Sequence, residues 1–177
     1  AQGRSHLAAM MEVRDIQKVT VYDQRREAAK KYQKEMEEKY KIPVMVCDSV
    51  EEAVKGAEII CTVTPSKEPY LKAEWITPGA HINAVGAFTP NTREIESSLM
   101  AKAKLYADQV EAMKKECGEY LIPKNEGLFG EEHITGSIGG ILAGQVPGRE
   151  NDTEITLFDA LGLAVEDVAC GRFLCRE

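Results

Sequence analysis

Two stretches decide the fold, Glu58-Ile59-Ile60-Cys61-Thr62-Val63 and Ala80-His81-Ile82-Asn83-Ala84-Val85. The first is an almost continuous apolar run, and both are short. Such runs suit strands of a parallel sheet that is covered on both faces. Around them the chain alternates strand-like and helical segments. Residues 18–23 (KVTVYD), 44–47 and 104–107 read as further strands; 5–13, 25–40, 50–55, 94–102 and 110–116 read as helices. Asp48 or Ser49 can cap the helix that starts at Val50, with Glu51 and Glu52 in its first turn. Residues 117–130 read as loop-rich. The segment 132–143 is ambiguous because Gly136, Gly139 and Gly140 interrupt it. Residues 156–174 read as one final helix, with Gly162 as a close-packing point. Strands alternating with helices predict an α/β domain, doubly wound around a mainly parallel sheet. No shift in composition divides the chain, so residues 1–177 read as a single domain.

A chain of 177 residues can bury a real core. Its formal net charge of −7 argues against nucleic acid or an anionic membrane as the main partner. Basic residues are interleaved with acids, as in Lys30-Lys31-Tyr32-Gln33-Lys34-Glu35, the pattern of a solvated helix face. No apolar run reaches the roughly 18 residues a membrane span needs, and the first residues do not read as a signal peptide. Cys47, Cys61, Cys117, Cys170 and Cys175 are odd in number and lack CxxC spacing, which reads as reduced thiols in a cytoplasmic protein. The scattered histidines make no metal pattern.

Four groups could carry chemistry. Gly3 stands just before a helical run, and Asp23 ends a strand about 20 residues later, the spacing of the acid that follows a dinucleotide-binding glycine loop. Asp23 could accept hydrogen bonds from ribose hydroxyls, or be a turn residue. Arg25 and Arg26 beside it could receive a 2′-phosphate, so NAD is favoured and NADP stays open. The second group is Thr62-Val63-Thr64-Pro65-Ser66, hydroxyls at a strand's carboxyl end, where open α/β sheets bind ligands; a Ser/Thr turn is the plain alternative. The third is His81-Ile82-Asn83-Ala84-Val85-Gly86, whose small residues let a flat ring approach, with Gly86 giving freedom at the edge and His81 read as a packed, hydrogen-bonded side chain. The fourth contains Asp159, Glu166 and Asp167, either catalytic carboxylates or exposed acids near a helix start.

Taken together, these pieces resemble the ornithine cyclodeaminase and mu-crystallin family along the whole chain. The resemblance rests on Ala1-Gln2-Gly3-Arg4-Ser5-His6, Val21-Tyr22-Asp23, Thr62 to Ser66, Pro78-Gly79-Ala80-His81-Ile82-Asn83-Ala84-Val85-Gly86, Arg93-Glu94, Pro147-Gly148-Arg149, and the run from Ile155 to Asp167. It implies a Rossmann-type domain, usually NAD-binding, in a homodimeric enzyme. It implies that Gln2 and Gly3 close the phosphate loop and that Asp23 holds the adenosine ribose. Thr64 and Ser66 would lie on the nicotinamide side. Ala84 and Val85 would face the nicotinamide ring, and Ala160 with Leu161 would close over it.

Two departures from the family pattern stand out. The first strand of the sheet and the family's N-terminal domain, with its substrate-gripping basic residues, have no counterpart in these residues. The chain therefore reads as a fragment, expected to be inactive alone. The family's catalytic aspartate, two residues past the glycine matched by Gly86, is here Phe88. Phenylalanine can neither orient water nor take a proton. The resemblance thus implies a nicotinamide-dependent oxidoreductase acting on the Cα–N bond of a small amino acid or cyclic imine. Ornithine cyclodeaminase and a silent, crystallin-like nucleotide-binding protein are the alternatives. No metal is expected.

Overall fold

The computed structural model describes residues 1–175. Among the described residues there are seven strands: β1 (Val19–Val21), β2 (Val44–Val46), β3 (Ile59–Thr62), β4 (His81–Ala84), β5 (Lys104–Ala107), β6 (Ile134–Ser137) and β7 (Thr156–Asp159). The helices are α1 (Gln2–Val13), α2 (Arg26–Tyr40), α3 (Val50–Val54), α4 (Ser97–Lys102), α5 (Val110–Glu116), α6 (Gly118–Asn125), α7 (Ile138–Leu142) and α8 (Ala164–Leu174). Every pairing is parallel. β1 pairs with β2, and a second sheet runs in the order β3-β4-β7-β5-β6. The architecture is the α/β Rossmann-like one that the alternation of segments predicts.

Side chains alternate across a strand, so each register row belongs to one face. Ile60, Ile82, Leu157 and Leu105 stand opposite one another across four strands. All are buried, and they form the main core with Leu99 and Met100 of α4, Met113 of α5 and Tyr120 of α6. A smaller cluster of Leu7, Met36 and Val44 joins α1, α2 and β2. Ser49 caps α3 by accepting from the Glu52 N–H. Its hydroxyl occupies one of the amides that a helix start leaves free.

Four expectations from the sequence are corrected. Residues 156–159 are not helix but strand β7, hydrogen-bonded on both sides; the helix begins only at Ala164. Gly162 has a φ of +87° and open space around it, so it serves a turn rather than a close packing. Residues 118–125 form α6 rather than loop, and α4 starts at Ser97, leaving Glu94 in the preceding loop. Pro78 and Gly79 form the turn that leads into β4. Gly79 adopts a φ of +87°, and a Cβ there would strike the Asp152 backbone.

Leu157 is fully buried in the central strand, whereas Met45 on β2 is 54% exposed. Leu157→Ala is expected to cost about 2–5 kcal/mol, and Met45→Ala less than about 0.5 kcal/mol. Urea unfolding followed by circular dichroism measures both, and equal losses would place the core elsewhere.

Candidate functional site

The two sheets do not pair with each other. β1 and β3 each leave one edge unpaired, and both strands border one cleft of about 2350 Å³. A small-molecule pocket occupies roughly 300–1,000 Å³, so this space is more than a ligand site. Its upper rim gathers Gln2, Gly3, Asp23, Thr64 and Ser66. These are five of the residues singled out from sequence, drawn from segments far apart in the chain.

Each is placed by an element end. Gln2 and Gly3 begin α1, which has no side-chain cap, so its first amides point past the helix. Asp23 follows β1; its carboxylate accepts the Arg25 N–H at 2.8 Å and stays 40% exposed. The Arg25 side chain lies 3.8 Å from it, and Arg26 is paired with Asp48. Thr64 follows β3. Its hydroxyl donates to Glu94 at 2.7 Å and accepts the Ser66 N–H at 3.3 Å, while Ser66 Oγ donates to the Glu68 carbonyl at 2.7 Å.

The remaining predicted residues lie beside the cleft rather than in its lining. The Ala84 methyl is 2% exposed and points into the core, and its carbonyl accepts the Ala160 N–H at 2.9 Å. Val85 and Ala160 are half-buried at the ends of β4 and β7, and Leu161 packs on the core. Phe88 is 63% exposed in the loop after β4. Gly86 is required for close approach: a Cβ would collide with the Thr64 backbone and the Glu94 carboxylate.

Behind the rim lies a polar cluster of which the sequence singles out only Asp159. Glu94, Glu119 and Asp159 are all buried. Glu119 accepts the amides of Glu94 and Ile95 at 2.5 and 3.2 Å. Burial, and then the nearby Asp159 carboxyl, still push the Glu119 carboxyl well above the usual range. Burial lifts Asp159 to about 7, against a hydrogen bond from the Cys117 thiol at 3.2 Å. Asp159 Oδ1 has no partner among the described residues. Glu166 and Asp167, by contrast, are exposed on α8, where the plain reading of them holds. Only the burial of the cluster distinguishes it, and no local sequence pattern announces that.

His81 is packed and hydrogen-bonded, as read. Its Nδ1 meets Thr156 Oγ1 at 2.8 Å and its Nε2 meets Asn83 Oδ1 at 3.3 Å. Burial lowers its pKa. Among the described residues no group of acids, cysteines and histidines could hold a metal, and no helix is long and apolar enough to cross a membrane.

The model of the ornithine cyclodeaminase/mu-crystallin family matches residues 1–176. The chain belongs to that family. It is 38% identical over 173 residues to an alanine dehydrogenase of Archaeoglobus fulgidus, covering 97% of this chain and 52% of that enzyme. It is also 38% identical to a Delta(1)-pyrroline-2-carboxylate reductase of Bacillus cereus, covering 98% of this chain and 53% of that enzyme. Among solved structures, the Delta(1)-pyrroline-2-carboxylate reductase of Thermococcus litoralis, in complex with NADH and L-proline, superposes with a TM-score of 0.94 at 40% identity. That match covers 97% of this chain and 53% of the other. The chain thus spans about half the length of these family members.

The position of Asp159 makes a signed prediction. Its pKa is raised on folding from 3.8 to about 7. Between about pH 4 and 7 the unfolded chain releases a proton that the folded one keeps, so this group makes stability fall as pH rises. Asp159→Asn is expected to remove that slope and to be more stable at pH 8, by an amount on the order of 4 kcal/mol. Thermal unfolding from pH 4 to 8 measures it, and an unchanged slope would mean that Asp159 ionises normally.

Proposed function

We propose that this chain is the nucleotide-binding half of a nicotinamide-dependent imine reductase, which interconverts a small amino acid and its imino form at the Cα–N bond. The observation that carries the reading is the meeting of Asp23, the start of α1, and Thr64 with Ser66 around one cleft. From that cleft the strand order runs one way through β1 and β2 and the other way through β3 and β4. Open α/β sheets bind dinucleotides at such a reversal, outside the carboxyl ends of the strands.

The residues present fit NAD(H). The uncapped start of α1 offers amides and the positive end of a helix dipole to a pyrophosphate. Asp23 can accept from ribose hydroxyls on the β1 side. Arg26 is held by Asp48 and Arg25 is drawn to Asp23, so a 2′-phosphate would meet a carboxylate first; this favours NAD(H) over NADP(H). The nicotinamide supplies or takes the hydride, and the protein's part is binding and orientation. Phe88 gives the loop after β4 an exposed apolar ring, suited to a wall against a small cyclic imine and unable to hold a hydrolytic water. Relatives named for alanine dehydrogenation and pyrroline-carboxylate reduction support the same reaction class.

The reading includes the other half of a family-length protein. One parallel strand from it fills the slot between β1 and β3. Another part covers α8, whose Val165, Val168, Phe173 and Leu174 are 67–70% exposed. The whole is a cytoplasmic homodimer acting on a small molecule.

A family-length protein carrying this chain is expected to oxidise NADH with pyrroline-2-carboxylate and to release no ammonia from L-ornithine with NAD. Ammonia release would make it a cyclodeaminase instead. The 177 residues alone are expected to show no turnover. Asp23→Ala is expected to lower the preference for NADH over NADPH by about tenfold, the scale of a lost charged hydrogen bond; an unchanged ratio of kcat/KM values would remove Asp23 from the ribose site.

A further inference from the structure

Glu94 is fully buried, yet it stands at the carboxyl end of the sheet rather than deep in the core. One carboxylate oxygen accepts the Thr64 N–H at 2.7 Å, the Thr64 hydroxyl at 2.7 Å and the Tyr70 hydroxyl at 2.6 Å. The other accepts the Gly86 N–H at 3.0 Å. Its own carbonyl accepts the amides of Tyr70 and Leu71 at 2.8 and 2.9 Å. One residue therefore ties together the loop after β3, the loop after β4 and the segment at Tyr70.

The chemistry demands a carboxylate. All four groups that meet it are donors. An amide would turn its NH2 toward either the Gly86 N–H or the Thr64 and Tyr70 donors, setting donor against donor. No Lys or Arg pairs with Glu94 among the described residues, so these hydrogen bonds alone offset its desolvation. Gly86 is part of the same device, because its missing side chain lets the Thr64 backbone and Glu94 come this close. Glu94 does not line the cleft, whereas Thr64, Ser66 and Tyr70 do. It acts through them: the Thr64 hydroxyl, aimed at Glu94, is thereby oriented to receive the Ser66 amide.

We infer that Glu94 is a positioning residue for the nicotinamide end of the cofactor, fixing the distance between the loops that follow β3 and β4. The inference rests on the proposed cofactor reading and deepens it. Asp23 takes the adenosine side of the cleft, so the loops at Thr64 and Gly86 are left to the nicotinamide side.

The test compares two ligands on the family-length protein by calorimetric titration: NADH, and ADP-ribose, which lacks the nicotinamide ring. Glu94→Gln is expected to weaken NADH binding about tenfold, the scale of one lost charged hydrogen bond, while ADP-ribose changes by less than about twofold. Tyr70→Phe removes one donor of the four and is expected to show the same selectivity with a smaller loss, about threefold. If Glu94→Gln does not fold, the Tyr70→Phe ratio decides. Equal weakening of both ligands, as a merely structural role would give, or unchanged NADH binding would overturn the inference. No NADH binding by the unsubstituted protein would overturn the proposed cofactor and this inference with it. Because binding is read without turnover, a wrong substrate assignment leaves the test intact.

Discussion

The last strand of the chain is inserted between two earlier ones, and this insertion holds the rest together. β7 pairs with β4 on one side and β5 on the other; without it the five-stranded sheet would separate into β3-β4 and β5-β6. Its alternation then serves two faces. Leu157 enters the core, and Asp159 enters the polar cluster on the same face. Thr156, on the opposite face, is a junction. Arg149 donates to its hydroxyl at 2.8 Å, and the same hydroxyl meets His81 Nδ1 at 2.8 Å. The His81 Nε2 meets Asn83 Oδ1 at 3.3 Å, so a row of hydrogen bonds runs from Arg149 to Asn83. Burial lowers the His81 pKa, and the nearby Arg149 charge acts in the same direction.

Buried charge is costly, and here it is concentrated. The buried carboxyls of Glu94, Glu119 and Asp159 gather at the carboxyl ends of β3, β4 and β7, the same end that bears the rim of the cleft. They solve the burial problem differently. Glu94 collects hydrogen-bond donors around both oxygens. Glu119 takes two backbone amides yet still has a raised pKa. Asp159 is pushed toward its neutral form, with one oxygen unpartnered. The donors around Glu94 belong to the loops that shape the cleft, whereas the partners of Asp159 belong to the core. Glu94 therefore couples packing to the binding rim in a way that Asp159 does not.

Much of this was legible in the sequence, for stated reasons. The nearly continuous apolar run at 58–63 announced a parallel strand, because a sheet covered on both faces tolerates such a run, and the short strand-like stretch at 80–85 announced its neighbour. Local chemistry announced a cap at Asp48 or Ser49, and Ser49 provides it. The strand at 156–159 was hidden because the following residues, Ala160 to Asp167, continue an apolar pattern compatible with a helix; the positive φ at Gly162 breaks it. Asp23, Thr64 and Ser66 were recognisable by position after strands, and the structure gathers them. The role of Glu94 was not recognisable. A glutamate before a helix reads as an ordinary first-turn acid, and only the fold reveals that a loop turns it inward toward Thr64 and Gly86.

The surfaces this chain leaves open are arranged with the same logic as those it closes. Unpaired strand edges invite pairing, and β1 and β3 turn theirs toward one another across the cleft. A strand in the slot that ran parallel to both β1 and β3 would satisfy both ladders. Under the proposed function, such a strand would run to the rim that Gln2, Gly3, Asp23 and Thr64 line, so the slot and the phosphate site are one feature. Fold completion and cofactor binding are then thermodynamically linked, each favouring the other by the same free energy.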